Sequence, residues 1–341
     1  LKRHMFIMER VYAFVAGTNN GLYGIYKSSD SGASFSQIYS GSTKNLLGWN
    51  SNGSDSGGQG WYDLAIAVSP SDANTLLVGG VNTWRSTNGG SAWSIVNHWT
   101  GTNAQEVHAD KHMLKYRSDG HLYECNDGGL YKSTNNGTNW TDKSNGLVIS
   151  QMYKLGVSQT VSTEVITGLQ DNDTKLRSGS TWSDVIGGDG MECLINYTNV
   201  NIQYGSLYYG DIKRTTNHWQ SSSTITPSSA GSGAWVTPYI IDPVNQSTLY
   251  SGYGDIWKST NQGTNWTKIS NISSSDKIRS MAIAPSNVQV IYCADRTHIY
   301  KTTNGGGAWT NITGSLPVSS SYITAIAVNS NDPSTVWVTF S

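Results

Sequence analysis

The sequence predicts an all-β protein made of repeated four-stranded antiparallel sheets, and two observations support this prediction. First, a ten-residue pattern that ends in an aromatic residue recurs along the chain, as in "WKSTNQGTNW" from Trp257 to Trp266. Second, most copies follow two alternating apolar runs joined by a polar turn, as in "YDLAIAVSPSDANTLLVGG". Each unit therefore contains strands A, B, C and D in chain order. Repeating units of this size and content are typical of a β-propeller.

The repeats predict seven blades within a single domain, residues 1–341. Five clear and two degenerate copies lie at residues 26–35, 84–93, 131–140, 257–266 and 300–309, and at 175–182 and 212–219. The N-terminal segment supplies strands B, C and D, whereas the C-terminal segment supplies A and a second B. We therefore expect either one displaced terminal strand or, as we favour, a piece of a larger propeller.

Composition excludes several functional classes. Only 13% of residues are charged and the net charge is −1, which argues against nucleic acid and charged membrane surfaces as partners. No apolar run is long enough to span a bilayer. Glu9 and Arg10 interrupt the apolar N-terminal stretch, so it does not resemble a signal peptide. The three cysteines are widely spaced and form no metal or redox motif.

The repeat resembles the Asp-box, Ser-x-Asp-x-Gly-x-x-Trp, of the BNR-type propeller superfamily, which includes sialidases, sortilin-type propellers and xyloglucanase-like glycosidases. Asp30 is the only Asp at the box position, which Asn88, Asn135, Asn261 and Asn304 occupy elsewhere. An Asn side-chain oxygen can cap the same turn. The stretch "GLQDND…WSDVIGGDGMECLINYTN" also looks like propellers of large secreted Bacteroidetes surface proteins. The resemblance implies a secreted bacterial protein, with structural calcium as an option.

Strand order assigns the boxes to one face of each sheet and the variable loops to the other. The A–B turns and the C–D box turns share a face, and the D–A and B–C loops lie opposite. Two D–A loops are long, from about Gly41 to Gly60 and from Asn97 to Val107. Long variable loops often carry ligand sites. We expect the box residues to be structural, with the Trp packed between blades, and the alternative is one calcium or sugar site per box.

Carboxylates on the loop face are the candidate catalytic residues. Asp171 and Asp173 lie in one B–C loop, and Asp189 lies in the next D–A loop. Glycosidases need two carboxyl groups, one as acid and one as base or nucleophile. Asp127 and Glu192 are further acids of this face and are assigned to substrate binding. The alternative is that these aspartates only cap their own turns.

The segment "VHADKH" places His108, Asp110 and His112 at alternate positions. On a regular strand all three would face one way, but the first and last would lie ~13 Å apart. One metal ion could reach all three only if the strand bulged. We therefore expect no metal site, and assign His108 and Asp110 to substrate binding. The alternatives are a metal bound by two of the three residues and water, a His that acts as general base, and a set of hydrogen-bonded polar residues at a channel wall.

Aromatic residues near the loop face are candidate sugar platforms, since sugar C–H groups stack on flat aromatic faces. We assign Trp49, Trp99 and Tyr209 to substrate binding, and blade packing is the alternative, favoured more for Trp61 and Trp235. Arg296 is the Arg most able to reach this face. The chain has no Arg-Ile-Pro and only eight Arg, which argues against a sialidase.

The sequence alone therefore predicts a glycoside hydrolase-like propeller acting on a neutral polysaccharide, monomeric, extracellular or at the cell surface, and without a required cofactor. Fold resemblance is a weak basis for function. One alternative is a non-catalytic glycan- or protein-binding module of a surface adhesin. Another is a calcium-stabilised scaffold without a ligand of its own.

Overall fold

The computed structural model describes residues 10–117, 119–147 and 149–341. It is nearly all β, and divides into unit 1, Leu1–Ile149, and unit 2, Ser150–Ser341. The first residues of the N-terminal stretch compared with signal peptides, 1–9, lie outside the described part. Among described residues, no helix has the length and apolar content needed to cross a membrane.

Unit 1 contains three sheets in which consecutive strands are neighbours. Within them the pairing is antiparallel, apart from β8, which pairs with β7 in parallel. The first sheet comprises β1 (Val11–Ala16), β2 (Leu22–Ser28) and β3 (Ser36–Ser40). The second comprises β4 (Ala65–Val68), β5 (Leu76–Gly79), β6 (Thr83–Ser86), β7 (Ser94–His98) and β8 (Gln105–Glu106). The third comprises β9 (Lys111–Tyr116), β10 (Leu122–Asn126), β11 (Gly129–Ser133) and β12 (Thr141–Asp142).

Unit 2 contains four four-stranded antiparallel sheets and a final strand pair. The first two sheets are β13 (Met152–Val157), β14 (Val165–Leu169), β15 (Thr174–Ser178) and β16 (Thr181–Ile186), then β17 (Cys193–Ile195), β18 (Gln203–Leu207), β19 (Asp211–Thr215) and β20 (Ser223–Thr224). A 3-10 turn, Tyr208–Gly210, separates β18 from β19. The next are β21 (Tyr239–Ile241), β22 (Leu249–Gly252), β23 (Ile256–Ser259) and β24 (Thr267–Lys268), then β25 (Ser280–Ile283), β26 (Ile291–Ala294), β27 (Ile299–Thr302) and β28 (Thr310–Asn311). The pair is β29 (Ile323–Val328) and β30 (Val336–Phe340).

The sheets have the construction predicted for propeller blades, with strands in chain order and an outermost fourth strand. Second strands such as β5, β22 and β26 are buried along their whole length, since they lie within the packed stack. Fourth strands such as β24 and β28 have two exposed residues each. The predicted resemblance to β-propeller proteins is thereby confirmed at the level of fold. The described residues form eight sheets of two to five strands, and the predicted count of seven blades is not confirmed.

Apolar cores lie between successive sheets of each unit. In unit 1, Ile25 of β2 and Trp84 of β6 belong to one buried cluster. In unit 2, Tyr204 of β18 and Tyr239 of β21 share another. Sheet-on-sheet burial of this kind provides most of the stability of such a fold.

Box turns show why Asn can replace Asp. In the box of β23 and β24, Ser259 Oγ donates to Asn261 Oδ1 over 3.0 Å, and the Asn265 N–H donates to the same oxygen over 2.8 Å. Asp30 makes the equivalent bonds in the first sheet, to Ser28 and Ser34. A single acceptor oxygen meets both requirements, and no charge is needed. The predicted capping role of Asn261 is confirmed.

The box Trp residues pack between sheets, as predicted. Trp266 Nε1 donates to the Ile225 carbonyl over 2.6 Å, and Trp309 Nε1 donates to the Ile269 carbonyl over 2.8 Å. Each acceptor follows the fourth strand of the preceding sheet. Arg214 of β19 adds a second link, because its Nη1 donates to the Gln262 carbonyl in the next box over 2.7 Å.

The two degenerate copies differ from each other. At residues 212–219, Thr215 and Asn217 form the box bonds, but the position normally held by Gly is Trp219, with φ of 63°. Trp219 is therefore not the box Trp that the alignment suggests. At residues 175–182 the structure has a tight hairpin, in which Ser178 pairs with Thr181 around Gly179. No box turn forms there.

Candidate functional site

One turn of unit 1 delivers several polar groups to a carboxylate cluster. The Tyr62 and Asp63 N–H groups both donate to the Gln59 carbonyl, over 2.7 and 3.0 Å, which closes a single helical turn just before β4. Residues three and four apart on such a turn point to one side. Gln59, Tyr62 and Asp63 therefore face Asp110 and Asp127, which come from two other loops of the same unit.

Asp127 lies on the loop that joins β10 to β11, and side chains from outside that loop hold its carboxylate. The Tyr62 hydroxyl donates to Asp127 Oδ2 over 2.7 Å, and His112 Nε2 lies 2.5 Å from Asp127 Oδ1. The Tyr62 and His112 rings also meet edge to face, with centroids 4.8 Å apart. These contacts fix the direction of a partly buried carboxylate beside solvent-exposed groups.

Asp110 and Asp63 form a buried carboxyl pair behind Asp127. Gln59 Nε2 donates to Asp110 Oδ1 over 2.8 Å, and an Asp110 oxygen lies within 4.8 Å of an Asp127 oxygen. Burial, then the Asp127 charge, raise the pKa of Asp110. Asp63 is 0% exposed, and burial followed by the adjacent Asp110 raises its pKa to about 8. Two close carboxyls resist ionising together.

The buried side chain of Lys111 lies next to this carboxylate cluster. Lys111 Nζ donates to the carbonyls of Val81 and His108 over 2.8 and 2.6 Å and lies 3.9 Å from Glu124 Oε1. Burial lowers the pKa of Lys111, and Glu124 counteracts this. Because backbone carbonyls occupy its ammonium, Lys111 orders the loop and neutralises part of the acidic cluster.

The segment "VHADKH" is not a regular strand along its whole length. Strand β9 begins only at Lys111, and Asp110 has φ of 64°. Gly128 allows the His108 ring to approach its backbone, since a Cβ at Gly128 would lie 2.3 Å from His108 Cγ. The kink brings Asp110 and His112 to the same cluster without the alternation that the sequence suggested.

Trp61 borders the cluster and does not pack between blades, contrary to the favoured alternative. Its side chain is 72% exposed, and its ring lies 5.3 Å from that of Tyr62. An exposed aromatic face therefore adjoins the hydroxyl that holds Asp127. We name the set Trp61, Tyr62, Asp63, Asp110, His112 and Asp127 the carboxylate site.

Trp49 and Trp99 meet in a separate cleft of unit 1. The cleft has a volume of about 250 Å³ and is lined by both rings, His98 and small polar residues. His98 Nε2 lies 3.0 Å from the Trp49 carbonyl, and Trp99 Nε1 donates to the same oxygen over 3.3 Å. Both Trp side chains are more than 40% exposed. The two predicted substrate-binding residues therefore share a surface.

The predicted catalytic acids of unit 2 lie together on two loops. The Asp171 N–H donates to Asp189 Oδ1 over 2.9 Å, and the Gly188 N–H donates to Asp173 Oδ1 over 2.9 Å. Lys175 Nζ is 3.8 Å from Asp173 Oδ2. Each of these two bonds joins one loop to the other, so through them neither Asp173 nor Asp189 caps its own turn. A catalytic role for the three acids stays a prediction.

Glu192 lies beside these loops and pairs with Lys154 of β13. Its Oε2 is 3.9 Å from Lys154 Nζ. Burial raises the pKa of Glu192 to about 7, against the opposing effect of Lys154. A carboxyl with such a pKa changes charge near neutrality.

Tyr209 belongs to an exposed aromatic cluster with Tyr208 and Trp235. The Tyr208 and Trp235 rings are stacked at 5.3 Å with an interplanar angle of 8°, and Tyr209 meets Trp235 edge on. All three side chains are more than a third exposed. Tyr209 has φ of 59°, which costs a bulky residue about 1–2 kcal/mol. Trp235 Nε1 donates to the Tyr153 hydroxyl over 3.1 Å and so fixes the cluster.

Arg296 of unit 2 contacts one carboxylate and one aromatic ring of its own unit. Its Nη1 lies 3.6 Å from Asp276 Oδ1, and its guanidinium lies over the Tyr322 ring at 5.2 Å. Both contacts are partly exposed, and its predicted substrate-binding role stays a prediction.

The sequence analysis missed Gln59, Tyr62 and Asp63, and favoured packing between blades for Trp61. The stretch "GQGWYDLAIAV" carries one signal, an Asp directly before an apolar strand, but nothing in it reveals that the carboxyl is buried.

Comparisons with solved structures find similar folds at low sequence identity. A GH74 enzyme from Niastella koreensis is 15% identical over 95% of this chain and 59% of its own, with a TM-score of 0.30. YCF48 from Cyanidioschyzon merolae is 11% identical over 82% and 92%, with a TM-score of 0.41. The GH74 xyloglucanase from Xanthomonas campestris is 12% identical over 95% and 61%, with a TM-score of 0.31.

The chain thus spans about three fifths of the length of those two GH74 enzymes. No protein-family model matches the chain, and no curated protein matches it by sequence. The likeness concerns fold alone and assigns no role to any residue.

Proposed function

We propose that the chain is a carbohydrate-active propeller protein that hydrolyses a neutral polysaccharide at the carboxylate site of unit 1. The observation that carries this proposal is the Asp110–Asp127 pair, whose oxygens lie within 4.8 Å of each other beside exposed Trp61. Hydrolysis of a glycosidic bond needs two such carboxyls, one able to hold a proton. The raised pKa of Asp110 suits the acid, and Asp127, oriented by Tyr62 and His112, suits the nucleophile.

The charge of the site supports a neutral substrate. The charges of Asp127 and of the Asp63–Asp110 pair would repel an acidic sugar, and none of the six residues of the carboxylate site is an Arg. Trp61 offers a flat apolar surface on which a neutral sugar ring can stack. We also propose an extracellular or cell-surface location, where polysaccharides of this kind occur.

The test is release of reducing ends from a panel of β-glucans, xylans and mannans. We expect activity in the unaltered chain and a loss on the order of 10³-fold in Asp127→Asn, since a positioned acid or base contributes ~10²–10⁴-fold. Asp119→Asn, an exposed turn carboxylate of the same unit, is the control and retains activity. Carboxyl groups this close predict that the configuration at the anomeric carbon is retained, and NMR of the first product tests this.

Two results would contradict the assignment. If Asp189→Asn abolishes activity and Asp127→Asn does not, the reaction belongs to the acids of unit 2. If the unaltered chain releases no reducing ends from any polysaccharide of the panel, it is not a hydrolase of this class.

A second candidate is non-catalytic glycan binding. The exposed, stacked Tyr208 and Trp235 favour it, because Tyr209 is held in a costly conformation beside them without any carboxylate chemistry. A sugar platform explains why such strain persists on a surface.

A further inference from the structure

Asp63 is the one member of the carboxylate site that substrate cannot touch. It is 0% exposed, and no donor among the described residues has hydrogen-bond geometry to either carboxyl oxygen. The side chain within hydrogen-bonding reach is the Asp110 carboxyl, which can bond to Asp63 only if one of the two is protonated. Leaving a buried charged group unsatisfied costs several kcal/mol. The group that faces it is another carboxyl, Asp110, and two carboxylates repel each other. The pair is stable only if something positive lies between the two groups.

A proton is the simplest occupant. A protonated Asp63 donates a hydrogen bond to Asp110. This supplies the missing hydrogen bond and also removes the repulsion between two negative charges. The remaining neighbours support one proton. Lys111 interacts electrostatically with both carboxyls, but backbone carbonyls and Glu124 engage its ammonium. Asp127 and His108 also act on Asp110, with opposite effects on its pKa.

We propose that Asp63 is a positioning residue that holds one proton jointly with Asp110, so that Asp110 can donate a proton to the departing sugar oxygen. This inference rests on the hydrolytic function proposed above. In the first step Asp127 forms a bond to the anomeric carbon. The glycosidic C–O bond breaks, its electron pair stays on the leaving oxygen, and that oxygen takes the proton from Asp110.

The second step restores the pair. Without its proton, the pair carries two buried negative charges and is a strong base. It takes a proton from water, whose oxygen attacks the anomeric carbon and breaks the bond to Asp127. The shared proton thus makes Asp110 an acid in the first step and a base in the second.

The raised pKa of Asp63 gives a readout that needs no substrate. Folding raises this pKa from about 4 to about 8, so between these values the folded chain holds a proton that the unfolded chain has lost. Stability therefore falls as pH rises through this window and levels off above it. In Asp63→Asn this loss disappears, because the amide cannot ionise and can donate to Asp110.

The experiment compares the unaltered chain, Asp63→Asn and the control Asp119→Asn in two assays. In thermal denaturation from pH 5 to pH 9, we expect Asp63→Asn to lose less stability than the other two. In hydrolysis, we expect the kcat of Asp63→Asn to fall on the order of 10²-fold. The apparent pKa of the alkaline limb of its pH profile should be lower by about one pH unit or more. The KM should change little, since Asp63 does not touch substrate.

Equal pH slopes of stability in all three chains overturn the shared proton, whatever the activity. An unaltered alkaline limb in an active Asp63→Asn chain overturns the positioning role. Absence of hydrolysis in the unaltered chain removes the proposed function, while the stability assay still tests the proton.

A divalent cation is the competing occupant. If added Ca²⁺ or Mn²⁺ raises the melting temperature of the unaltered chain but not that of Asp63→Asn, a cation binds there and the proton proposal is wrong.

Discussion

Buried carboxyls are the single residues that tie stability to function in this chain. Asp63 and Glu192 both have raised pKa values because burial disfavours their charged forms, in unit 1 and unit 2 respectively. Replacing either with its amide removes a cost that the folded chain carries at neutral pH. Residues that reduce stability and yet match a local constellation are candidates for function.

Glu192→Gln tests this at a second site. The pKa of Glu192 rises on folding to about 7, so stability falls as pH rises from about 4.5 to 7 and then levels off. The ion pair with Lys154 offsets part of the loss. We expect Glu192→Gln to flatten this slope and to gain at most about 3 kcal/mol at pH 8. Urea denaturation at pH 5 and pH 8 measures it, with Glu106→Gln, an exposed residue, as control. A steeper slope in the variant would show that Glu192 is stabilised by Lys154 when charged.

For single residues, the sequence indicated which acidic residues belong to a site better than it indicated whether they are buried. It selected Asp110, Asp127 and Glu192 as loop-face acids, and the structure brings Asp110 and Asp127 together. It could not find Asp63, because burial of a carboxyl depends on residues distant in sequence. It also gave no sign that Asp110 is left-handed or that the strand begins only after it, at Lys111.

The box turn is the element that repeats most faithfully. Two factors decide whether its Gly can be replaced: the positive φ of the backbone and the space available for a Cβ. Gly90 and Gly32 both have φ of 93°, a region that residues other than Gly rarely adopt. A Cβ on Gly90 would lie 2.6 Å from Ile38 Cδ1, whereas a Cβ on Gly32 would meet nothing within 4 Å. The same backbone therefore tolerates substitution differently at the two boxes.

We expect Gly32→Ala to lower the free energy of unfolding by about 1–2 kcal/mol and Gly90→Ala by about 1–3 kcal/mol more. Denaturant unfolding of both variants measures the difference. Adding Ile38→Val to Gly90→Ala should recover part of the loss, because it removes the clashing methyl group. Equal losses at the two glycines would mean that the sheets separate easily at Gly90.

The sequence predicted these turns because their hydrogen bonds are local and require only a Ser or Thr, an Asp or Asn, and a Gly. It failed at the degenerate copies for the same reason. Around Asn217, two residues other than Gly take positive φ values, His218 and Trp219, and tertiary contacts support them. His218 bonds to buried Glu164, and Trp219 Nε1 donates to Gln203 over 2.8 Å.

For the molecule as a whole, a net charge of −1 and exposed aromatic clusters favour uncharged ligands. Binding to a neutral polysaccharide should change little between low and physiological salt, since screening acts only on charge. Trp235→Ala should weaken binding about tenfold, whereas Trp182→Ala, a more exposed Trp of unit 2, should not. Affinity electrophoresis at two salt concentrations measures both effects. Strong salt dependence would point to an anionic ligand instead.

At this largest scale the sequence predicted the blade-type sheets and their strand order from periodicity alone. It did not predict the number of sheets, because the first and last strands give no local signal of the sheet that they join.

The Asn residues of the boxes have a chemical consequence. Asn followed by Gly, as at Asn88 and Asn304, is the dipeptide most prone to spontaneous deamidation, which requires the next backbone nitrogen to attack the side-chain carbon. Here the Gly89 N–H is bonded to the Asn74 carbonyl, and Asn88 Oδ1 accepts from Ser86 and Ala92. These bonds hold the Gly89 nitrogen and the Asn88 side-chain carbon apart, so the folded chain deamidates more slowly. Mass spectrometry after long incubation should find deamidation at these turns mainly in unfolded chains.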